Sequence, residues 1–363
     1  MIRVLQVIGG LNRGGAETMI MNLYRAVDKT KVQFDFILNT DKPQSYTDEV
    51  LAMGGKIYVL PKFNGKNYFA LKKAWNEFFT EHPEYKILHS HVRSYASIYI
   101  PIAKKHGLKT IVHSHSTSNG KGLVSMVKKL MQRSLRRKAD HLFACSEIAG
   151  EWLFGRRAVK GPKYRLIPNA VDTSRYAYDE AARARKRAEL SLDGKIVYGH
   201  VGRLHEAKNH MFLLDVFHKI HAKQPESVLL IVGDGTEREK IEERINELSL
   251  GESVIMTGSR PDVNELMQAM DCFLFPSLWE GLPVTVVEAQ AAGLHCLVSD
   301  RVTGEVELSE LVKYLPIDSA DRWCDEAIST DKVRVDVVDK IIAAGYDIAT
   351  SARDITEFYE ENS

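Results

Sequence analysis

The sequence predicts an α/β chain of two Rossmann-like domains. Short β-rich apolar runs alternate with helix-spaced apolar patterns, as in parallel sheets with crossover helices. The series breaks once, near Asp172, and then restarts. At 363 residues the chain is long enough for about two domains.

In the first half the apolar runs predict strands at 3–8, 34–38, 56–60, 87–89, 110–113 and 141–145. Between them, 16–27, 70–79 and 123–137 carry apolar residues at helical spacing. The pattern changes at Ile167-Pro168-Asn169-Ala170-Val171-Asp172, and the polar, Ala/Arg-rich stretch 179–190 reads as a surface helix beside a linker. A second series predicts strands at 196–201, 228–232, 253–257, 272–275 and 295–299. The stretch 349–360 reads as a terminal helix able to pack on either domain. The expected domains are therefore 1–172 and 173–348, with a helix at about 349–363 free to pack back on the first. Ligands in such folds gather at the carboxyl ends of strands, so the expected site is a cleft between two facing domains.

Composition narrows the function classes. With 44% hydrophobic and 27% charged residues the chain reads as soluble and globular, and neither end carries an unbroken apolar run long enough to cross a bilayer. The opening Met1-Ile2-Arg3-Val4-Leu5-Gln6-Val7-Ile8 leads into a glycine turn and reads as a buried strand, not a signal peptide. Cys145, Cys272, Cys296 and Cys324 lack metal-ligand spacing and read as buried free thiols in a reducing cytoplasm. The net charge of +1 conceals 28 basic and 13 acidic residues through Asp172, against 21 and 35 beyond it. Such asymmetry predicts an anionic partner for the basic half: nucleic acid, lipid or a phosphorylated substrate. Nucleic acid is disfavoured, because no nucleic-acid-binding module accompanies the charge.

Five motifs carry chemistry. Gly9-Gly10-Leu11-Asn12-Arg13-Gly14-Gly15 follows the first strand, where glycines let backbone amides approach an anion. The spacing is not that of a dinucleotide fingerprint, and a plain flexible turn is the alternative. Gly202-Arg203-Leu204-His205-Glu206-Ala207-Lys208 follows the first strand of the second half; Arg203 and Lys208 suit a diphosphate, or form an ordinary solvated basic loop. In Glu280-Gly281-Leu282-Pro283-Val284-Thr285-Val286-Val287-Glu288, Pro283 suits the first position of a helix, leaving amides around 281–285 unpaired for negative charge. Glu280 and Glu288 are candidate acceptors for sugar or ribose hydroxyls. Two surface glutamates are the alternative, weakened by the apolar neighbours of Glu288. His113-Ser114-His115-Ser116-Thr117-Ser118 closes a strand with two candidate histidines, either ligand-binding or structural, and His89 and His91 form a similar pair. From Lys121 to Lys138, Lys128, Lys129, Arg133, Arg136, Arg137 and Lys138 interleave with apolar residues such as Leu123, Val127 and Leu130, as in a helix lying on anionic membrane or one packed on the core with solvated charges.

Taken together these motifs resemble the retaining family 4 glycosyltransferases of GT-B fold, and within them the capsular and exopolysaccharide glycosyltransferases of bacteria. The resemblance covers nearly the whole chain: Gly14-Gly15, His113-Ser114-His115, Pro168-Asn169-Ala170-Val171-Asp172, Gly202-Arg203 with Lys208, Gly233-Asp234-Gly235, and Glu280 spaced from Glu288. The junction reads Asn-Ala-Val-Asp where the family has Asn-Gly-Val-Asp. The resemblance implies two Rossmann-like domains facing each other across a deep cleft, the first binding acceptor and the second a nucleotide-sugar donor. It implies that Arg203 and Lys208 hold the donor diphosphate, that Glu288 binds the ribose, and that Glu280, Gly281 and Leu282 meet sugar and phosphate. Gly14 and Gly15 would approach the phosphate or acceptor, and His115 or His113 the donor sugar. It also implies a UDP-linked hexose or N-acetylhexosamine, a lipid-linked glycan acceptor, retention of configuration, and a peripheral place on the inner face of the cytoplasmic membrane. No cofactor or metal is expected: the chain has no Asp-x-Asp motif, and cationic side chains with helix amides can carry the leaving-group charge. A nucleotide-sugar epimerase and a non-catalytic sugar-nucleotide-binding protein are the alternatives.

Overall fold

The computed structural model describes residues 1–12, 14–115 and 123–363. Arg13, Ser116, Thr117, Ser118 and Lys121 of the motifs above lie outside the described residues. The chain divides into two compact units, Met1–Ala170 with Ile348–Ser363, and Val171–Asp347.

The first unit is built on seven parallel strands: β1 (Ile2–Val7), β2 (Val32–Leu38), β3 (Ile57–Val59), β4 (Ile87–Ser90), β5 (Lys109–Ser114), β6 (His141–Ala144) and β7 (Tyr164–Leu166), in the order β3-β2-β1-β4-β5-β6-β7. Helices cover the faces, so inner strands read as apolar runs; every residue of β2 is buried. Its one charge, Asp35, meets Arg3 at 2.5 Å and accepts from the Tyr85 hydroxyl at 2.7 Å, which offsets its burial. Register places Gln6 of β1 beside His89 of β4. The helix Ile348–Glu361 belongs to this unit, sinking Ala352, Ile355, Phe358 and Tyr359 into the core around Ile20, Phe34 and Phe143.

The second unit carries β8 (Ile196–Val201), β9 (Ser227–Val232), β10 (Val254–Met256), β11 (Cys272–Phe275), β12 (Cys296–Ser299) and β13 (Val312–Leu315), all parallel, in the order β10-β9-β8-β11-β12-β13. Both sheets are doubly wound, with strand order reversing between β1 and β4 and between β8 and β11.

Several elements differ from the sequence expectation. The helix Ala96–Lys105 forms although Pro101 lies inside it, and the edge strands β7 and β13 are too short and polar to stand out. The helix expected over 123–137 breaks at Ser134 into Leu123–Arg133 and Leu135–Lys138. The 179–190 stretch is a helix, Glu180–Glu189, capped by Asp179, but not simply a surface one. Lys186 and Arg187 are buried, and Arg183 and Arg187 reach Asp271 at 2.5 and 3.3 Å, so its cationic face is fastened to the unit. All four cysteines are free and buried. Among the described residues no helix is long and apolar enough to cross a membrane.

Candidate active site

In the second unit the chain winds away from β8 and β11 in opposite directions, and the loops leaving their carboxyl ends meet at this switch point. The Leu278 amide donates to the Ala207 carbonyl at 2.8 Å, and the Asn209 side-chain amide to Pro276 at 3.2 Å. Lys208 Nζ lies 2.7 Å from Glu280 Oε1, with each side chain 15% exposed. The contact is an ion pair without hydrogen-bond alignment, since Glu280 Oε1 has no hydrogen-bond partner among the described residues. The Lys208 ammonium also sits 4.5 Å from the centre of the Phe275 ring. Glycine at 202 leaves room for this lysine, since a Cβ there would come within 2.9 Å of Lys208 Cε and displace it. Gly233, at φ 141°, lies against the Gly202 carbonyl with no room for a side chain. Arg203 is exposed and has no partner among the described residues.

The helix Val284–Ala291 rises from the same loop. Pro283 occupies the capping position just before it, one residue earlier than expected, with φ −78° and ψ 91°. No side chain caps this helix, and the backbone amides of Glu280, Gly281, Leu282, Val284 and Thr285 have no partner among the described residues. Together with the helix dipole they form a ready anion site. Glu288 is half-buried in the second turn, and burial pushes its carboxyl up to about 7; a hydrogen bond from Tyr176 and the charge of Arg175 pull the other way. Tyr176, on the short helix Thr173–Tyr176, went unmarked in the sequence, because nothing local ties it to a glutamate so far along the chain. The buried hydroxyls of Ser277 and Thr285 lack partners among the described residues and were unmarked too. So were His200, whose Nδ1–H donates to the Leu274 carbonyl at 2.8 Å, and buried His210, which burial pushes down to about 4.

In the first unit Gly14 caps the helix Gly15–Ala26 without a side-chain cap, its amide donating to the Asn12 carbonyl at 2.9 Å. A Cβ at Gly14 would strike the Glu17 carboxylate, whereas one at Gly15 would meet nothing within 4 Å. Backbone packing requires neither glycine, since the Glu17 carboxylate is the end of a flexible side chain.

The histidines form one array at the carboxyl ends of β4 and β5. His113 is fully buried within β5, while His115 lies just past its end, half-buried. His89 Nε2 is 3.2 Å from His113 Nδ1, and His91 Nδ1 is 2.7 Å from His115 Nε2. His91 Nε2 meets Gln6 Oε1 at 2.9 Å, and His89 Nδ1 meets the Tyr359 hydroxyl at 2.7 Å. Burial holds His89, His91 and His113 well below the usual imidazole range and brings His115 to about 3, so all four rings are neutral. Each of His89, His91 and His113 could offer a metal one nitrogen, all within 4.8 Å of one another. His89 and His113, however, already direct nitrogens at each other.

Beyond these rings, the helix Leu123–Arg133 presents Met126 (68% exposed) and Leu130 (66%) beside exposed Lys128, Lys129 and Arg133. Lys129, Arg133, Arg136 and Trp152 line a surface hollow of the same unit.

Comparison with known proteins decides the family. The model described as glycosyltransferase family 4 matches residues 13–175, and that of the group 1 glycosyl transferases matches 182–311. EpsF of Bacillus subtilis (strain 168), named as a glycosyltransferase, is 36% identical over 312 residues, 84% of this chain and 81% of EpsF. The chain belongs to the family 4 glycosyltransferases. This glycosyltransferase is also 28% identical over 225 residues (60% of this chain, 58% of the relative) to the Escherichia coli enzyme named UDP-Gal:alpha-D-GlcNAc-diphosphoundecaprenol alpha-1,3-galactosyltransferase. Its fold matches Anabaena Alr3699/HepE, solved in complex with UDP, with a TM-score of 0.79 over 99% of this chain and 100% of that one at 18% identity. The family 4 enzyme thus has the GT-B pair of Rossmann-like domains.

Proposed function

We propose that this glycosyltransferase moves a hexose or N-acetylhexosamine from a UDP-sugar to a lipid-linked oligosaccharide in capsule or exopolysaccharide assembly, retaining configuration and using no metal. The observation that carries the reading is the meeting of Lys208 and Glu280 at the β8–β11 switch point, beside the uncapped helix that bears Glu288. Nothing but Glu280 pairs with the Lys208 ammonium among the described residues, and that pair is unaligned as a hydrogen bond. An arriving diphosphate can take over Lys208, with Arg203 as a second cation and the amides of 281–285 completing the anion site. This set stabilises negative charge on the departing nucleoside diphosphate without a metal.

Glu288 then accepts from the ribose hydroxyls, and Glu280, freed from Lys208, meets the transferred sugar with Gly281 and Leu282. From the first domain, Gly15 contributes its amide to phosphate or acceptor beside Gly14, whose own amide is given to the Asn12 carbonyl. His115 is the better of the two histidines for contact with the donor sugar, since His113 is sealed inside its strand. The lipid-linked acceptor is supported by the name of the Escherichia coli relative and by the excess of basic residues before Asp172. The exposed apolar and basic side chains of the helix Leu123–Arg133 would rest on an anionic membrane surface at its cytoplasmic face.

The test is transfer from a panel of UDP-sugars to a diphosphoundecaprenol-linked acceptor, with linkage analysis of the product. Lys208→Ala should lower turnover by roughly 10²–10³-fold, as for other lost leaving-group stabilisers, while the protein keeps its fold. Full activity in that variant sinks the site. Turnover of the UDP-sugar without acceptor would favour an epimerase, and donor binding without turnover a non-catalytic role.

A further inference from the structure

Gln6 lies in the middle of the first sheet, 1% exposed, with no part in the donor site proposed above. Its two amide atoms join the two arms of the histidine array. Gln6 Oε1, which can only accept, receives the hydrogen on His91 Nε2 at 2.9 Å. A neutral His91 protonated there has a lone pair on Nδ1, so the 2.7 Å contact with His115 is donated by His115 Nε2. His115 is then unprotonated at Nδ1, a buried atom without a partner among the described residues.

The other arm runs the opposite way. Gln6 Nε2 donates to the Tyr359 hydroxyl at 3.4 Å, and that hydroxyl donates to His89 Nδ1 at 2.7 Å. His89 carries its hydrogen on Nε2 and gives it to His113 Nδ1 at 3.2 Å. His113 is left with a hydrogen on Nε2, which is also buried and unpartnered among the described residues. The rings of His113 and His115 stack with centroids 4.1 Å apart, so the array ends in a donor and an acceptor side by side.

We infer that Gln6 and Tyr359 are positioning residues that set the tautomers of this array, leaving His115 with its lone pair on Nδ1 as the acceptor for a hydroxyl of the donor sugar. A buried polar atom left without a hydrogen bond is costly, and a sugar hydroxyl reaching Nδ1 would offset that cost on binding. The same bond would be lost with the opposite tautomer, because Nδ1–H can only donate. The functional part rests on the donor-site reading above. The tautomers do not.

The experiment is a two-bond ¹H–¹⁵N correlation spectrum of the full chain labelled with ¹⁵N-histidine, with resonances assigned from single histidine variants. All four rings should be neutral Nε2–H tautomers. Finding His115 as the Nδ1–H tautomer would overturn the inference, because the chain of donors would then run backwards from a reversed Gln6 amide. Gln6→Leu should give His91 and His115 mixed tautomers and lower kcat about tenfold, which corresponds to about 1.4 kcal/mol. Tyr359→Phe removes a single oxygen and should disturb His89 and His113 while leaving the His91–His115 pattern intact. Equal disturbance of both arms would refute their separate control. His115→Ala tests the other reading by itself: full activity there, with the expected tautomers in the parent chain, would reject the sugar contact and leave the array standing.

Discussion

Glu288 is held in a place that favours its uncharged form, and this makes Glu288→Gln an informative perturbation. Its carboxyl is pushed from 4.5 up to about 7, chiefly by burial, despite the opposing hydrogen bond from Tyr176. A raised carboxyl value means that the folded chain holds the proton more tightly than the unfolded one. Stability from the protonated group is fully present below about 4.5, falls as pH rises towards about 7, and then levels off. Two and a half units at about 1.4 kcal/mol each give a cost of about 3 kcal/mol above neutrality. Glutamine keeps the shape and carries no charge. The variant should therefore match the parent in stability near pH 4.5 and exceed it by up to about 3 kcal/mol at pH 8. For a domain of this size that is roughly 6–12 °C in the transition of the second unit. Calorimetry of both proteins at the two pH values reads the difference directly. The same variant should bind a UDP-sugar more weakly at pH 8, since an amide oxygen is a poorer acceptor for ribose hydroxyls than a carboxylate. A stability gap that does not change with pH would refute the burial argument, and unchanged donor affinity would refute the ribose contact.

Three further outcomes are expected. Gly233→Ala puts a Cβ onto the Gly202 carbonyl at a φ that side chains rarely adopt, and should destabilise the second unit by about 2–4 kcal/mol in denaturant unfolding. Treatment with a chelator, followed by removal of chelator and metal, should leave transfer activity unchanged; loss of activity restored by a divalent cation would overturn metal independence. The protein should co-sediment with anionic vesicles at low salt and be released as salt screens the contact. Replacing Lys129, Arg133 and Arg136 by Glu should abolish that binding, and no binding at low salt by the parent would remove the membrane from the proposal.

Most strands of both sheets were legible because parallel strands covered on both faces are almost wholly apolar, as 272–275 is and as 34–38 is apart from Asp35. The edge strands Tyr164–Leu166 and Val312–Leu315 escaped for the converse reason: with less of their surface covered, they tolerate Arg165 and Lys313. The helix Ala96–Lys105 was hidden by Pro101, whose intrinsic cost is overridden by burial of Ile98, Tyr99, Ile100 and Ile102. The stretch 179–190 was readable as a helix from its alanines and its Asp179 cap. That Arg183 and Arg187 face Asp271, rather than water, depends on a residue far along the chain.

The sequence by itself determined the family, the alternation of strands and helices, and the glycines, cations and carboxylates at strand ends, because these follow from local patterns and fixed spacing. Only the tertiary structure decided that Lys208 meets Glu280, that Tyr176 attends Glu288, and that Gln6 and Tyr359 join four histidines into one array. Those pairs come from separate strands and helices. Doubly wound topology, not sequence proximity, brings their carboxyl ends together, and burial there sets which group carries a charge or a proton.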